Sequence, residues 1–92
     1  MASRTGRPWQ RIKRRVVQRD RGICHLCRRP GATSADHIIP VAHGGAVYEL
    51  SNLAAAHHKC NLIRGTRPIP EARARIADEL GHTITDSDAW AW

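Results

Sequence analysis

Two pairs of metal-ligating side chains constrain this chain of 92 residues more than any other feature. Cys24 and Cys27 form a C-x-x-C pair, and His57 and Cys60 form an H-x-x-C pair further along the chain. Two residues between ligands allow a tight turn to aim both side chains at one ion. Three thiolates and one neutral imidazole would complete a tetrahedral shell, so the pattern predicts a structural zinc site.

Other interpretations of these residues stay open at this point. A C-x-x-C can be a redox pair, although no thioredoxin-like pattern surrounds it here. Cys60 alone could be a buried thiol, and an odd number of cysteines argues against a closed disulfide framework. His25 and His58 are alternative fourth ligands, while His57 is favoured by its register with Cys60.

Length and composition favour a fold that is stabilised by a bound metal ion. A chain of 92 residues forms one domain, and with no Phe, three Trp and one Tyr it has a core short of aromatic side chains. Small domains of this kind gain much of their folding free energy from a bound metal. The chain has no apolar segment typical of a signal peptide or a membrane span, so we expect a soluble, cytoplasmic protein with reduced thiols and no membrane partner.

The positive charge is concentrated near the start of the chain. The net charge is +7, and residues 1–30 hold ten of the fifteen Lys and Arg but only one acid. This asymmetry favours a nucleic-acid partner over a solvated tail or an anionic membrane. The stretch "RPWQRIKRRVVQRDRG" predicts a helix, with Trp9, Ile12 and Val16 on its apolar face. Its predicted nucleic-acid contacts are Arg11, Lys13, Arg14 and Arg15.

Shorter patterns predict the remaining elements. "TSADHII" is rich enough in β-branched and apolar residues for a strand, and "AVYEL" is the candidate second strand. "SNLAAAHHKCNLIRG" is Ala-rich and is expected to be largely helical. "RPIPEARARIADELG" predicts a further helix with Pro70 near its start and Gly81 at its end.

The ordered pattern C-x-x-C, A-D-H-I-I-P, G-G, N-L and H-x-x-C-N-x-x-R-G over residues 23–67 resembles the HNH endonucleases. The resemblance implies an α+β fold with a small ββα-metal core. Residues 1–22 would be a basic arm and helix, 23–67 the nuclease core and 68–92 a C-terminal helix and tail, all in one compact domain. His57 departs from the Cys of most zinc-bearing members, and Asn61 stands where the third name-giving residue is His, as in the His-Asn-Asn variant.

The chemistry of the residues supports a hydrolytic site. His37 is the natural general base, since imidazole titrates near neutral pH. Asp36 is an anionic oxygen ligand suited to Mg²⁺ or Mn²⁺, and on a strand it points away from His37. Asn61 follows a zinc ligand directly, and its side-chain oxygen could complete the catalytic metal site with Asp36.

The resemblance also implies supporting roles and partners. Asn52 would orient the loop that bears the histidine, Arg64 could hold a phosphate, and Gly44-Gly45 would permit a tight loop or a close approach to DNA. DNA is the expected partner of a monomer or weak dimer with little sequence preference. Small free-standing members are often phage-encoded and act beside the DNA-packaging terminase, which is a further expected partner. The competing interpretation is a non-catalytic zinc-ribbon module that binds DNA.

Overall fold

The computed structural model describes residues 7–81, so the first six residues and the C-terminal tail lie outside the described residues. Helix α1 (Arg7–Arg19) is followed by strand β1 (Ser34–His37), strand β2 (Leu53–Ala56), helix α2 (His58–Arg64) and helix α3 (Ile69–Leu80). Two short 3-10 turns, Val41–His43 and Leu50–Asn52, lie between the strands. The predicted α+β class with a ββα core is confirmed. Within residues 7–81, no helix has the length and apolar character needed to cross a membrane.

The two strands pair antiparallel, with His37 opposite Leu53 and Asp36 opposite Ala54. The prediction of a strand over "AVYEL" is wrong, and the Ala-rich segment, predicted to be largely helical, is helical only in its second half. Strand β2 occupies the Ala-rich segment instead, and α2 begins only at His58. All four residues of β2 are buried, because the small side chains let other elements cover both of its faces. This tertiary environment overrides the helix propensity of alanine.

Polar contacts tie the end of α1 to β2. The carboxylate of Asp20 accepts a bond of 2.8 Å from the backbone N–H of Ala55, and Arg19 pairs with the same carboxylate at 2.8 Å. Arg19 also donates to the backbone oxygens of Leu50 and Leu53. The hydrogen bond from Arg19, aided by that from Ala55, lowers the pKa of Asp20 below its ordinary 3.8. These contacts hold α1 against the sheet.

A small mixed core joins the helices to the sheet. Trp9 and Val16 of α1 are buried together with Leu26, Leu53 and Ile76. The predicted helix over residues 69–80 is confirmed. It ends at Gly81, whose φ of +74° favours glycine and whose N–H donates to the oxygen of Ala77. On one face of α3, Ile76 is buried, and Ile69 and Leu80 pack against the core.

Candidate functional site

The fold brings the four predicted zinc ligands together. Cys24 and Cys27 lie on the turn that follows α1, His57 precedes α2, and Cys60 lies in the first turn of α2. Their ligand atoms all lie within 4.8 Å of one another, with the three cysteines buried and His57 half-buried. His57 Nδ1 is 3.2 Å from the sulfur of Cys27 and 3.8 Å from that of Cys60.

A contact outside the group orients the imidazole. His57 Nε2 lies 2.8 Å from the carbonyl oxygen of Pro30. A carbonyl can only accept, so Nε2 carries the proton and Nδ1 is left with the lone pair that a metal needs. Of the alternative ligands, His58 is exposed and the ring of His25 binds Asp36. The structure therefore places His57, and neither of the other two histidines, beside the cysteines.

The donor set fits a structural zinc ion. The neighbouring thiols of Cys27 and Cys60 lower the pKa of Cys24. Their interaction with Cys24 raises the pKa of Cys27 and of Cys60. A divalent cation would balance three thiolates at once, and three sulfurs with one nitrogen are the ligands that zinc takes in closed structural sites.

His37 lies at the end of β1 with its ring fixed on two sides. Its Nε2 lies 2.9 Å from the backbone oxygen of Val47, so Nε2 donates and the neutral ring keeps a free lone pair on Nδ1. The indole of Trp9 stacks on the imidazole, with ring centroids 5.6 Å apart and planes 11° from parallel. Helix α1, through Trp9, thus positions the candidate base.

His37 and Asn61 share one surface pocket. The pocket has a volume of about 450 Å³. Its other lining residues are Pro40, Val41, Ala42, Gly65 and Thr66. Asn61 belongs to α2 and directly follows Cys60, so the group of four candidate ligands sets its position. This pocket is large enough to admit a phosphate and water between an imidazole and an amide.

Asp36 is buried and is not among the residues that line this pocket. It is 5 % exposed, and its Oδ2 accepts hydrogen bonds from His25 Nε2 at 2.8 Å and from Arg64 Nη1 at 2.5 Å. Within residues 7–81, no group donates to Oδ1. Because side chains alternate between the two faces of a strand, Asp36 and His37 point in different directions. The Oδ1 atom of Asp36 can still accept a hydrogen bond or bind a cation.

Arg64 is part of the buried structure. It is 1 % exposed and donates to the backbone oxygens of His37 at 2.6 Å, Ile38 at 2.7 Å and Arg67 at 2.9 Å, besides Asp36. All three of its nitrogens are engaged, so the prediction that Arg64 holds a phosphate does not fit its position. Arg64 instead fastens α2 to the end of β1.

Asn52 spans the loop between the strands. Its side chain accepts a bond from Ile39 N–H at 2.8 Å and donates to the oxygens of Ile39 at 3.1 Å and Ala46 at 2.9 Å. This geometry suits the role expected of Asn52 in orienting the loop. Gly45 lies against the same Ile39 carbonyl, so closely that a Cβ at Gly45 would overlap it. The close approach at Gly45 is therefore to the chain's own backbone.

The exposed cations concentrate on α1. Arg11, Arg14 and Arg15 are exposed and Lys13 is half-buried. A shallow pocket lies on this helix between Arg7, Gln10, Arg11 and Arg14. Four other arginines turn their guanidinium groups to backbone oxygens: Arg19, Arg64, Arg67 and Arg73. Outside α1, the exposed cations among residues 7–81 are Arg21, Lys59 and Arg75, so this helix holds most of the exposed positive charge of the described residues.

Comparison with known proteins places this geometry in a family. Residues 24–67 match the family model of the HNH endonuclease. No curated protein and no solved structure gives a significant match. The matched residues span the four-ligand group, both strands and α2, and they include the pocket residues His37 and Asn61. Residues 24–67 of this chain therefore form a domain of the HNH endonuclease family.

Proposed function

We propose that this protein is a metal-dependent endonuclease that hydrolyses DNA phosphodiester bonds, with His37 as the general base. The observation that carries the proposal is the state of His37. Its Nε2 is committed to Val47, so the free lone pair is on Nδ1, and the residue lines a pocket with Asn61. A base with one defined free nitrogen at the mouth of a phosphate-sized pocket suits water activation.

In the proposed reaction, His37 Nδ1 takes a proton from a water molecule as the water oxygen attacks phosphorus. The bond from phosphorus to the leaving oxygen then breaks, and solvent supplies the proton for that oxygen. Stacking on Trp9 holds the ring in place and favours the imidazolium that forms. Asn52 keeps the loop closed, and through Ala46 it also holds the segment that contains Val47.

The residues also suit a catalytic divalent cation. Asp36 Oδ1 and the amide oxygen of Asn61 are hard oxygen ligands, and Mg²⁺ is commonly bound by one or two such groups together with substrate phosphate. When bound, Mg²⁺ or Mn²⁺ supplies charge stabilisation for the phosphorane and the leaving oxygen. The zinc group has a separate role, since it fixes the start of α2 and with it Asn61.

The basic face of α1 is the proposed DNA contact. Arg11, Arg14 and Arg15 are exposed on the same helix whose buried Trp9 stacks on His37, so this helix would connect the DNA contact to the candidate base. Contacts of this kind are made to phosphates and carry little sequence information, which agrees with weak sequence preference. Phage origin and work beside a terminase stay predictions of the family resemblance.

One observation favours the competing function, a zinc-dependent DNA-binding module without catalysis. Asp36 forms a buried ion pair with Arg64, an arrangement that also suits a purely structural carboxylate. The two functions differ in whether purified protein cuts DNA. A wild-type protein that binds DNA but leaves it intact with every divalent metal would establish the binding module.

The test is plasmid nicking with Mg²⁺ or Mn²⁺. We expect wild-type protein to nick supercoiled plasmid and a chelator to stop it. His37→Ala should lower the rate about 10²–10⁴-fold, the usual contribution of general base catalysis, with DNA affinity nearly unchanged. His43→Ala is the matched control, because His43 is exposed on the neighbouring turn. Full activity in His37→Ala would end the proposed mechanism.

The DNA contact has a separate test. Replacing Arg11, Arg14 and Arg15 together by Gln removes three exposed charges, so the slope of log affinity against log salt should flatten by about 2–3. Arg75→Gln, which removes an exposed charge on α3, is the control and should leave the slope nearly unchanged. An unchanged slope in the triple variant would place the DNA elsewhere.

A further inference from the structure

We propose that His25 is a positioning residue for Asp36 and determines which carboxylate oxygen is offered to the catalytic cation. The inference rests on the proposed metal-binding role of Asp36. Neither the C-x-x-C pattern nor the family match assigns a role to His25, the residue that directly follows Cys24.

The backbone of His25 is fixed from two directions. Its N–H donates to the oxygen of Ala55 in β2 at 2.9 Å. Its carbonyl accepts two bonds from the guanidinium of Arg73 on α3, at 2.8 and 3.2 Å. The residue also lies between two of the four zinc-ligating side chains. The position of its ring is therefore set by β2, by α3 and by the folded turn around the metal group.

The ring transmits this position to Asp36. His25 Nε2 lies 2.8 Å from Asp36 Oδ2, with side chains that are 16 % and 6 % exposed. A carboxylate accepts, so Nε2 donates. Arg64 donates to the same oxygen, and no group within residues 7–81 donates to Oδ1. With both donors on Oδ2, the carboxylate cannot rotate without losing two charge-assisted bonds, and Oδ1 stays available.

This arrangement links the two metal sites of the proposed enzyme. The turn that holds zinc carries His25, and His25 in turn orients the ligand of the catalytic cation. Residues that orient metal ligands in this way typically change metal affinity or activity by about 10–100-fold when replaced. Loss of the His25 donor should therefore weaken cation binding while leaving the zinc group intact.

The experiment measures Mn²⁺ binding by calorimetry on the zinc-loaded full chain with a DNA duplex present. His25→Leu, which has no donor, should weaken Mn²⁺ binding about 10–100-fold. His25→Gln can place an amide N–H toward Asp36 and should retain most of the affinity. His58→Leu, the same change at an exposed histidine, is the control and should match wild type. If His25→Leu does not fold, His25→Asn replaces it, because its shorter amide cannot reach Asp36.

Three results would overturn the inference: equal Mn²⁺ affinity in wild type and His25→Leu, loss of zinc from folded His25→Leu, or no saturable Mn²⁺ binding by wild type. Plasmid nicking separates this inference from the proposed function. Weakened Mn²⁺ binding in His25→Leu with an inactive wild type would refute the endonuclease and leave the positioning role standing. An active wild type with equal nicking by His25→Leu at limiting Mn²⁺ would refute the positioning role alone.

Discussion

Asn52 is the residue whose removal we expect to disturb both the stability and the activity of this domain. The side chain is 9 % exposed and makes three hydrogen bonds to the backbone of Ile39 and Ala46, which close the loop between the strands. Asn52→Ala removes all three bonds without adding bulk. It also releases the segment beside Val47, whose oxygen holds the ring of His37.

The magnitude follows from these contacts. Each hydrogen bond contributes about 0.5–1.5 kcal/mol net, so three contribute about 1.5–4.5 kcal/mol. Ile39 and Ala46 are exposed, so water can replace part of what is lost, and the lower half of this range applies. We expect the free energy of unfolding to fall by about 2 kcal/mol. For a domain of this size, that corresponds to a melting temperature lower by about 8–16 °C.

The assay is thermal and urea unfolding followed by circular dichroism, with zinc saturating and equal in all samples. Ser51→Ala is the matched control, because Ser51 is the exposed neighbour of Asn52 and should change stability by less than about 0.5 kcal/mol. Nicking by Asn52→Ala should be reduced even at temperatures where it is folded, because His37 loses its fixed orientation. Asn52→Ala with the stability and nicking rate of Ser51→Ala would refute this account of the loop.

Three further predictions concern the loop, the zinc group and the stability at acid pH. Gly45→Ala should lower the urea midpoint more than Gly44→Ala. The new Cβ at Gly45 overlaps the Ile39 carbonyl, whereas at Gly44 it meets open space and only the φ of +89° is strained; the reverse order would contradict the loop packing. Elemental analysis should show that Cys27→Ser has lost its zinc, and the variant should unfold. A variant that stays folded without metal would contradict the structural zinc site. Asp20→Asn should flatten the pH dependence of the unfolding free energy below about pH 4. The folded-state pKa of Asp20 is depressed, so the stabilisation that Asp20 contributes is present above pH 3.8 and is lost as pH falls through the folded-state pKa. If urea titrations show the same pH dependence of the unfolding free energy in Asp20→Asn and wild type, this account is refuted.

Much of the candidate site follows from patterns that are local in the sequence. The spacing of Cys24, Cys27 and Cys60 is enough to indicate a metal group, because ligands two residues apart must share a turn. The apolar face of α1 is visible from the positions of Trp9 and Val16, and its outward cations follow from helical periodicity. The pair Asp36-His37 points to both sides of any strand that contains it, whatever that strand pairs with.

Other features were decided only by contacts between distant segments. The residues Leu53–Ala56 carry a helical propensity, and they form a strand because β1 pairs with them and both faces are covered. In the sequence, Arg64 has the position of a surface cation at a helix end. In the structure it is buried, because it donates to three backbone oxygens and to Asp36. The sequence leaves His25 as an alternative zinc ligand, but in the structure its ring binds Asp36. In each case a deciding partner lies well along the chain, 11 residues away for His25 and 28 for Arg64 with Asp36. The spacing of neighbouring residues carries no information about such a partner, and only the folded structure could show which groups meet.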